Sequence, residues 1–321
     1  MKPFSRFLLA LAILLGCCAV ADVGIGFALD RMIDKVPNNG NETGAAHYAI
    51  KKVTAPVLIV GSSRAKYHYY PDIFADSLGM KTYNAGRGGY YLSYHCCLIN
   101  MILDRYTPDI LIWEFSMDAL FADGEDIVNK FRPYYWEYDK VREVIDEKED
   151  KVSRIKNLSN AYRYNGMAVP VIYRWLAGGP DYDPGCGMAP IVNSGKGLDP
   201  EIRINKGLTG PLDTARVNRL KQTLQRLSDA GVKVFVFDSP NYALLAPDRD
   251  KSSESIIYEE CARYSFPVFD NRDNEFFLHH PEMFYDEGHL FDDGARIYSQ
   301  IAAHQIVQEL NKESHIDNDR Q

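Results

Sequence analysis

The sequence predicts an α/β fold: a three-layer domain built on a parallel sheet, preceded by an apolar N-terminal helix and interrupted by a long insertion. Three observations carry this reading. Short, wholly apolar runs alternate with segments whose apolar residues recur every three or four positions. That alternation stops near residue 119 and resumes near residue 211. A basic start is followed at once by an unbroken apolar stretch. The 321 residues are 46% hydrophobic and 25% charged, which rules out a disordered chain. With 36 basic and 44 acidic residues the net charge is −8. That balance argues against a sequence-independent nucleic-acid binder, which needs a basic surface to displace counterions.

Lys2 and Arg6 precede the apolar run 7–29, which is 23 residues long and contains one charge, Asp22. A helix of that length crosses the roughly 30 Å of a bilayer's hydrocarbon core. Three readings fit. The first is a retained signal anchor over residues 1–29 with the rest of the chain outside the cytoplasm. The second is a lipoprotein signal at Leu14-Leu15-Gly16-Cys17, with Cys17 as the lipidated residue. The third is a cleaved signal ending at Ala19-Val20-Ala21. The anchor is favoured because the apolar character continues well past Cys17. Residues 1–28 remove two bases and one acid, leaving −9 on the remainder. Membrane attachment must then come from the apolar segment, not from electrostatic attraction to acidic lipid.

Residues 30–53 are polar, with Pro37-Asn38-Asn39-Gly40-Asn41 reading as a loop within a tether. The α/β domain follows over residues 54–311. Residues 56–60 are a buried strand ending in Gly61, 70–78 a helix stopped by Gly79, 81–84 a second strand and 91–106 a helix. Residues 109–115 are a third strand with Glu114 near its end. Residues 119–210 hold an aromatic cluster, a charged helix-like stretch at 139–156 and a Gly/Pro-rich loop. They read as an insertion, not a separate domain. A helix at 212–230 ends at Gly231, followed by a strand at 233–238, a helix at 253–264 and a strand at 267–270. The last helix, 292–310, has Asp292 or Asp293 as its N-cap, and 312–321 is a polar tail. Of the six cysteines, Cys17 and Cys18 lie in the apolar run and Cys96 and Cys97 are adjacent. No CxxC pair occurs, and buried free thiols are expected, with a Cys186–Cys261 disulfide as the alternative.

Three places carry chemistry. Gly61-Ser62-Ser63-Arg64 follows the first strand, at the edge of a parallel sheet where ligands bind. A serine there is placed to attack, or simply to cap a helix. Asn84-Ala85-Gly86-Arg87-Gly88-Gly89 follows the second strand, and its glycines let backbone amides approach a ligand, with Gly86 the best candidate donor. Asp286 and His289 precede the last helix, spaced so that a carboxylate can hold an imidazole in one tautomer. A metal site drawn from His279, His280, Glu282, Asp286 and His289 is the rival, but the set has no recognised ligand spacing. Arg64 and Arg87 could hold an anionic substrate. The tyrosines around residues 67–94 could stack on sugars or fill the core. His68 and His95 read as ordinary helix or surface residues.

Taken together, these motifs resemble the SGNH (GDSL-like) hydrolase superfamily. Gly61-Ser62-Ser63 matches the family's Gly-Asp-Ser block with Ser62 in place of Asp, Gly86 falls at the glycine block, and Asp286 and His289 match Asp-x-x-His. The resemblance covers residues 54–118 and 211–311. It implies a flavodoxin-like three-layer sheet, Ser63 as nucleophile, His289 as base, Asp286 as its orienter, and no cofactor. Asn84 and Arg64 join the expected substrate-binding set. Met117 stands where the third block would carry an Asn donor, so Ser116 or a backbone amide takes that place. The Gly-Ser-Ser opening, the anchor and the altered third block look like the membrane-anchored branch acting on envelope polymers. That implies an esterase or O-acyltransferase for acylated glycans, working beside a membrane-bound O-acyltransferase. A catalytically impaired binding or scaffold subunit is the alternative.

Overall fold

The computed structural model describes residues 3–122, 129–193, 195, 197–199, 201 and 203–319. Lys2 of the expected basic start, residues 123–128 and four scattered positions of the expected insertion lie outside the described residues. In chain order the first elements are α1 (Pro3–Ile33), α2 (Glu42–Lys51), β1 (Val57–Gly61), α3 (Ser63–His68), α4 (Pro71–Leu78), β2 (Thr82–Asn84), α5 (Leu92–Leu103) and β3 (Ile110–Glu114). Then come α6 (Asp139–Lys148), α7 (Lys151–Lys156), α8 (Ala168–Ala177), β4 (Arg203–Asn205), α9 (Thr214–Asp229), β5 (Lys233–Asp238) and β6 (Ala243–Leu245). The chain closes with α10 (Ser252–Ala262), β7 (Val268–Asp270), α11 (Glu275–Leu278), β8 (Phe284–Asp286), β9 (His289–Leu290) and α12 (Asp292–Asp319). These elements form two compact units, one of residues 1–47 with 128–182 and one of residues 48–127 with 183–321.

The second unit is an α/β fold. Its central sheet has the order β2-β1-β3-β5-β7 and is parallel throughout. The central strands β1, β3 and β5 have continuous apolar middles because both faces are covered. Val57, Ile59, Ile112, Phe235 and Phe237 point to one face, where they join Ala65, Phe74, Tyr298, Ala302 and Ile306 of α3, α4 and α12 in a single core cluster. The alternate residues face the other way, where α5 and α9 pack against each other and the Trp113 indole meets His95 of α5. Asp213 caps α9, accepting hydrogen bonds from the amides of Ala215 and Arg216. Asp292 and Asp293 lie within the first turn of α12, so neither is its N-cap.

The chain leaves β1 for β2 on one side and then crosses to β3 on the other. The strand order therefore reverses between β1 and β3, and the crevice beyond their carboxyl ends is where such sheets bind ligands. Gly61, the last residue of β1, pairs with Glu114, the last of β3. A Cβ at Gly61 would sit 2.4 Å from the Glu114 carbonyl oxygen and 2.7 Å from Ala65 Cβ. The glycine is what lets α3 start immediately beside β3.

In the first unit, α1 is long and apolar enough to cross a membrane, a property that a signal sequence shares. Its C-terminal end supplies Leu29 and Ile33 to a small core with Val36, Tyr164, Met167 and Val171. Asp22, the charge in the apolar run, is held by the turn before the 3-10 segment Tyr162–Tyr164. It accepts from the Ser159 hydroxyl and from the amides of Asn160 at 2.7 Å and Ala161 at 3.0 Å.

Several boundaries differ from those expected. Residues 30–53 are not a plain tether: α1 continues to Ile33, and α2 forms behind Asn41, whose side chain accepts the Gly44 amide at 2.8 Å. The helix-like stretch 139–156 is two helices, α6 and α7, separated at Glu149-Asp150. The expected insertion 119–210 is divided, with residues 128–182 packing with the N-terminal segment and 183–210 belonging to the α/β unit. The polar tail beyond 311 continues α12 to Asp319. All six cysteines are free, and Cys186 and Cys261 are not bonded.

Candidate active site

Ser63 is the first residue of α3, immediately past β1. His289 opens β9 and Asp286 closes β8, the two short strands being paired so that Asp286 lies opposite His289. This antiparallel ribbon fixes the imidazole against α3. The His289 Nε2 atom lies 2.7 Å from Ser63 Oγ, and His289 Nδ1 lies 2.8 and 2.9 Å from the two Asp286 carboxylate oxygens. A carboxylate only accepts hydrogen bonds, so Nδ1 carries the proton and Nε2 accepts from the serine hydroxyl. The Gly288 amide donates to Asp286 Oδ1 at 2.9 Å and steadies the carboxylate. Residues 226 apart in sequence thus form a Ser–His–Asp chain in which the imidazole can take the hydroxyl proton.

The hydroxyl opens on a cavity of about 500 Å³, lined among others by Tyr91, Phe115, Ser116, Asp118 and Asn241. Ser116 therefore faces the site, its Oγ accepting the Asp118 amide at 3.2 Å. Asp118 accepts the Leu208 amide, and burial pushes its carboxyl above the ordinary range. Met117 is fully buried, and its amide donates to Asp238 Oδ2 at 2.7 Å. Its side chain takes no part in the cavity wall.

Three expected site residues have other partners. Arg64 touches the cavity, but its guanidinium is held between the fully buried carboxylates of Asp238 and Glu114, the latter at 3.2 Å. It also donates to the Ser239 carbonyl at 3.2 Å. Burial works against this cation, yet Asp238 and Glu114 more than offset it and raise the Arg64 pKa. Burial in turn pushes both carboxyls up, with Arg64 pulling them back down. The Asn84 side chain donates to the carbonyls of Ala65 at 2.7 Å and Tyr69 at 3.0 Å, tying α3 to the loop after β2. The Gly86 amide donates to Asn84 Oδ1 at 2.8 Å, so it is already engaged within its own loop.

The glycine that does approach Ser63 is Gly88. A Cβ there would lie 3.8 Å from Ser63 Cβ and 3.8 Å from the Tyr67 hydroxyl. At Gly86 the same atom would lie 2.6 Å from the Lys66 amide nitrogen and 2.7 Å from Ala65 Cβ. Gly86→Ala is accordingly expected to destabilise the protein by about 1–3 kcal/mol through overpacking, and Gly88→Ala by less. Parallel thermal melts check this, and equal losses would contradict the roles given to the two glycines. The Gly88-Gly89 pair was the available sequence signal.

His68 is fully buried, contrary to its reading as an ordinary helix or surface residue. Its Nε2 accepts the Leu290 amide at 3.0 Å, so Nδ1 bears the proton and donates to Ser239 Oγ at 2.9 Å. Ser239 Oγ donates in turn to Glu114 Oε1 at 3.1 Å, and Tyr69 donates to the other Glu114 oxygen. The His68 ring stands edge-on to His289, with centroids 6.3 Å apart, and Tyr67 does the same at 5.7 Å. The buried charge cluster therefore supports the backbone that carries His289. His95 is also buried. Its Nε2 lies 3.1 Å from the Tyr90 carbonyl. Among the tyrosines, Tyr69 and Tyr94 are core residues, whereas Tyr91 is half exposed on the cavity.

Burial, reinforced by the charges of Arg64 and His289, holds the His68 pKa well below its ordinary 6.5. The unfolded chain then binds a proton before the folded one, so this group's stabilisation is intact above pH 6.5 and is lost as pH falls below it. The slope is at most about 1.4 kcal/mol per pH unit. Glu114 and Asp238, shifted upward, act in the opposite sense over the acid range, so the comparison must be with His68→Gln. Wild type should lose more stability than the variant between neutral pH and pH 5 in urea titrations. Parallel losses would show that His68 is not held neutral.

The rival metal set is not assembled. His280 pairs with Glu282 at 2.8 Å while Asp286 pairs with His289. Among the described residues no group of three or more His, Cys, Asp or Glu side chains could hold a metal ion.

No family model matches the chain, and no curated protein matches it. Among solved structures it is similar to the lipase/acylhydrolase from Enterococcus faecalis, with 11% identity and a TM-score of 0.38 over 78% of this chain and 94% of that one. It is similar also to LAE5, an α/β hydrolase enzyme from the metagenome of Lake Arreo, Spain, with 7% identity and a TM-score of 0.38 over 80% and 98% of the two chains. A third is a gut microbial diltiazem-metabolizing enzyme, with 12% identity and a TM-score of 0.36 over 78% of this chain. The chain spans about half of that enzyme's length, 46%. These are distant likenesses of chain trace, and the functional reading rests on the geometry of the site itself.

Proposed function

We propose that the protein is a serine esterase or O-acyltransferase acting on acetyl-like esters of envelope glycans. In this reading α1 is a retained membrane anchor and the α/β unit lies outside the cytoplasm, beside a membrane-bound O-acyltransferase. The observation that carries the chemistry is the unbroken hydrogen-bond chain from Ser63 through His289 to Asp286 at the mouth of the cavity. Ser63 Oγ attacks the ester carbonyl carbon as its proton passes to His289 Nε2. The tetrahedral oxyanion collapses, the carbon–oxygen bond to the alcohol breaks, and His289 returns the proton to the leaving oxygen. Water or a sugar hydroxyl, deprotonated by His289, then releases the acyl group from Ser63. The cavity edge at Ser116 and the backbone at Gly88, whose Cα side faces Ser63, are the proposed sources of oxyanion donors.

A second reading has its own support. The Gly86 amide is engaged by Asn84, and buried Met117 replaces the expected Asn donor. Both favour a binding or scaffold subunit that kept the fold and lost efficient turnover. Incubation of the full chain with an acetylated polysaccharide separates the two. Acetate release, or acetyl transfer to an added oligosaccharide, supports the enzyme and tells hydrolase from transferase. Saturable binding of the polymer with neither product supports the scaffold.

A further inference from the structure

We infer that α8 is a second membrane contact, its outward apolar face lying in the headgroup–acyl boundary of a phospholipid bilayer that α1 spans. The inference rests on the anchor reading of α1 and extends it. Nine of the ten residues of α8 are uncharged, the exception being Arg174, and only Val171 is fully buried. Val171 and Ala168 pack on Leu29 and Ile33 of α1. The rest of the helix is open, with Val169 77%, Leu176 70% and Tyr173 62% exposed. At 1.5 Å per residue α8 is about 15 Å long, too short to cross roughly 30 Å of hydrocarbon and suited to lying along its surface.

Its place on α1 fixes the depth. Leu29 is the last residue of the apolar run, and Asp30 and Arg31 follow it. The turn that precedes α8 grips Asp22 from Ser159, Asn160 and Ala161, so this part of the unit lies alongside the outer end of α1, not beyond it. Between those two attachments α1 leaves Val23 and Phe27 exposed, so apolar side chains stand open on α1 over the stretch that carries this part of the unit. Tyr173 and Trp175 flank Arg174, whose guanidinium lies 5.4 Å from the Tyr173 ring centroid. Aromatic rings with a polar edge, and a long cationic side chain able to reach the headgroups, are what the bilayer interface selects. A soluble partner would account for the open face of α8 but not for the long exposed apolar helix to which it is attached.

The test uses the full chain reconstituted in vesicles of phosphatidylcholine with a quarter phosphatidylglycerol. Trp113 is fully buried in β3, so in a Trp136→Phe background Trp175 is the accessible tryptophan. Phosphatidylcholine brominated on the acyl chain near the headgroup should quench its emission about twofold, and Trp175→Phe should abolish the quenchable signal. If Trp136→Phe does not fold, quenching in the wild type that Trp175→Phe removes reads the same way. Trp175 quenched by acrylamide but not by bromolipid would overturn the proposal. Trp175 shielded from both would overturn it too, and would assign the face to a second copy or another protein. Flotation with the vesicles after alkaline carbonate separates the underlying reading. Protein that floats with Trp175 unquenched refutes only the α8 contact, whereas protein that does not float refutes the anchor and the contact together.

Discussion

Ser63→Ala is expected to lower hydrolysis of an activated acetate ester by about a thousandfold or more, while the thermal melt stays within a degree or two of wild type. The size of the loss follows from the geometry. The hydroxyl is the only group of Ser63 bonded to His289, and without it the imidazole has no nucleophile to activate. Residual turnover would come from the oxyanion donors and from water placed by His289, which together retain modest catalysis when a nucleophile is lost. The small thermal effect follows as well. Ser63 is only half buried, and its side chain adds one hydrogen bond to a site that remains open to solvent. His289→Ala should be as damaging as Ser63→Ala, and the double variant little worse than either, because residues that act as a unit are not additive. A thirtyfold or smaller loss for Ser63→Ala would mean that the ester is cleaved elsewhere.

Arg64→Met is expected to cost about 3–5 kcal/mol of stability. An arginine acting as a substrate clamp makes a different prediction: a raised KM with stability intact. The structure points to the fold. Arg64 is the cation between two carboxylates that have no exposure of their own, and removing it leaves Glu114 buried without its cation while Asp238 keeps only Arg272, at 3.5 Å. One of them would take up a proton to relieve the repulsion, so the loss should shrink in mild acid. Adding Glu114→Gln to Arg64→Met should recover part of the stability, a coupling that contact through a shared network requires. Urea titration followed by Trp113 emission reads both effects, since Trp113 lies in β3 beside Glu114.

The central strands were legible because their signal is local. Residues 57–60 and 234–237 are continuous apolar runs followed by glycine or aspartate, as expected of a strand covered on both faces. Helices shorter than two turns, or stabilised by a single cap, leave less trace. Thus α3 has six residues, and α2 depends on Asn41 within a polar stretch. The ten residues of α8 carry Pro170 in their first turn and run into Gly178-Gly179-Pro180, so they leave little trace inside the expected insertion. The site divides along the same line. Ser63, Asp286 and His289 could be proposed from their place after a strand and before a helix, and the structure brings their side chains together. Arg64, Asn84 and Gly86 have hydrogen-bond partners within the fold that the sequence does not reveal, because nearness in sequence to a nucleophile does not say which way a side chain or an amide points. The true partners of Arg64 are carboxylates at the ends of β3 and β5, which only the sheet order makes neighbours. A charged residue closing an otherwise apolar strand was the signal for Glu114 and Asp238.

The central claim is that Ser63 is a nucleophile activated by His289, and covalent trapping tests it most directly. The full chain is treated with a fluorophosphonate, digested, and the modified peptide located by mass spectrometry. A single phosphonyl adduct on Ser63, absent from Ser63→Ala and strongly slowed in His289→Ala, is the result the account predicts. A folded wild-type protein that takes no label at Ser63, or takes it equally fast without His289, would contradict it.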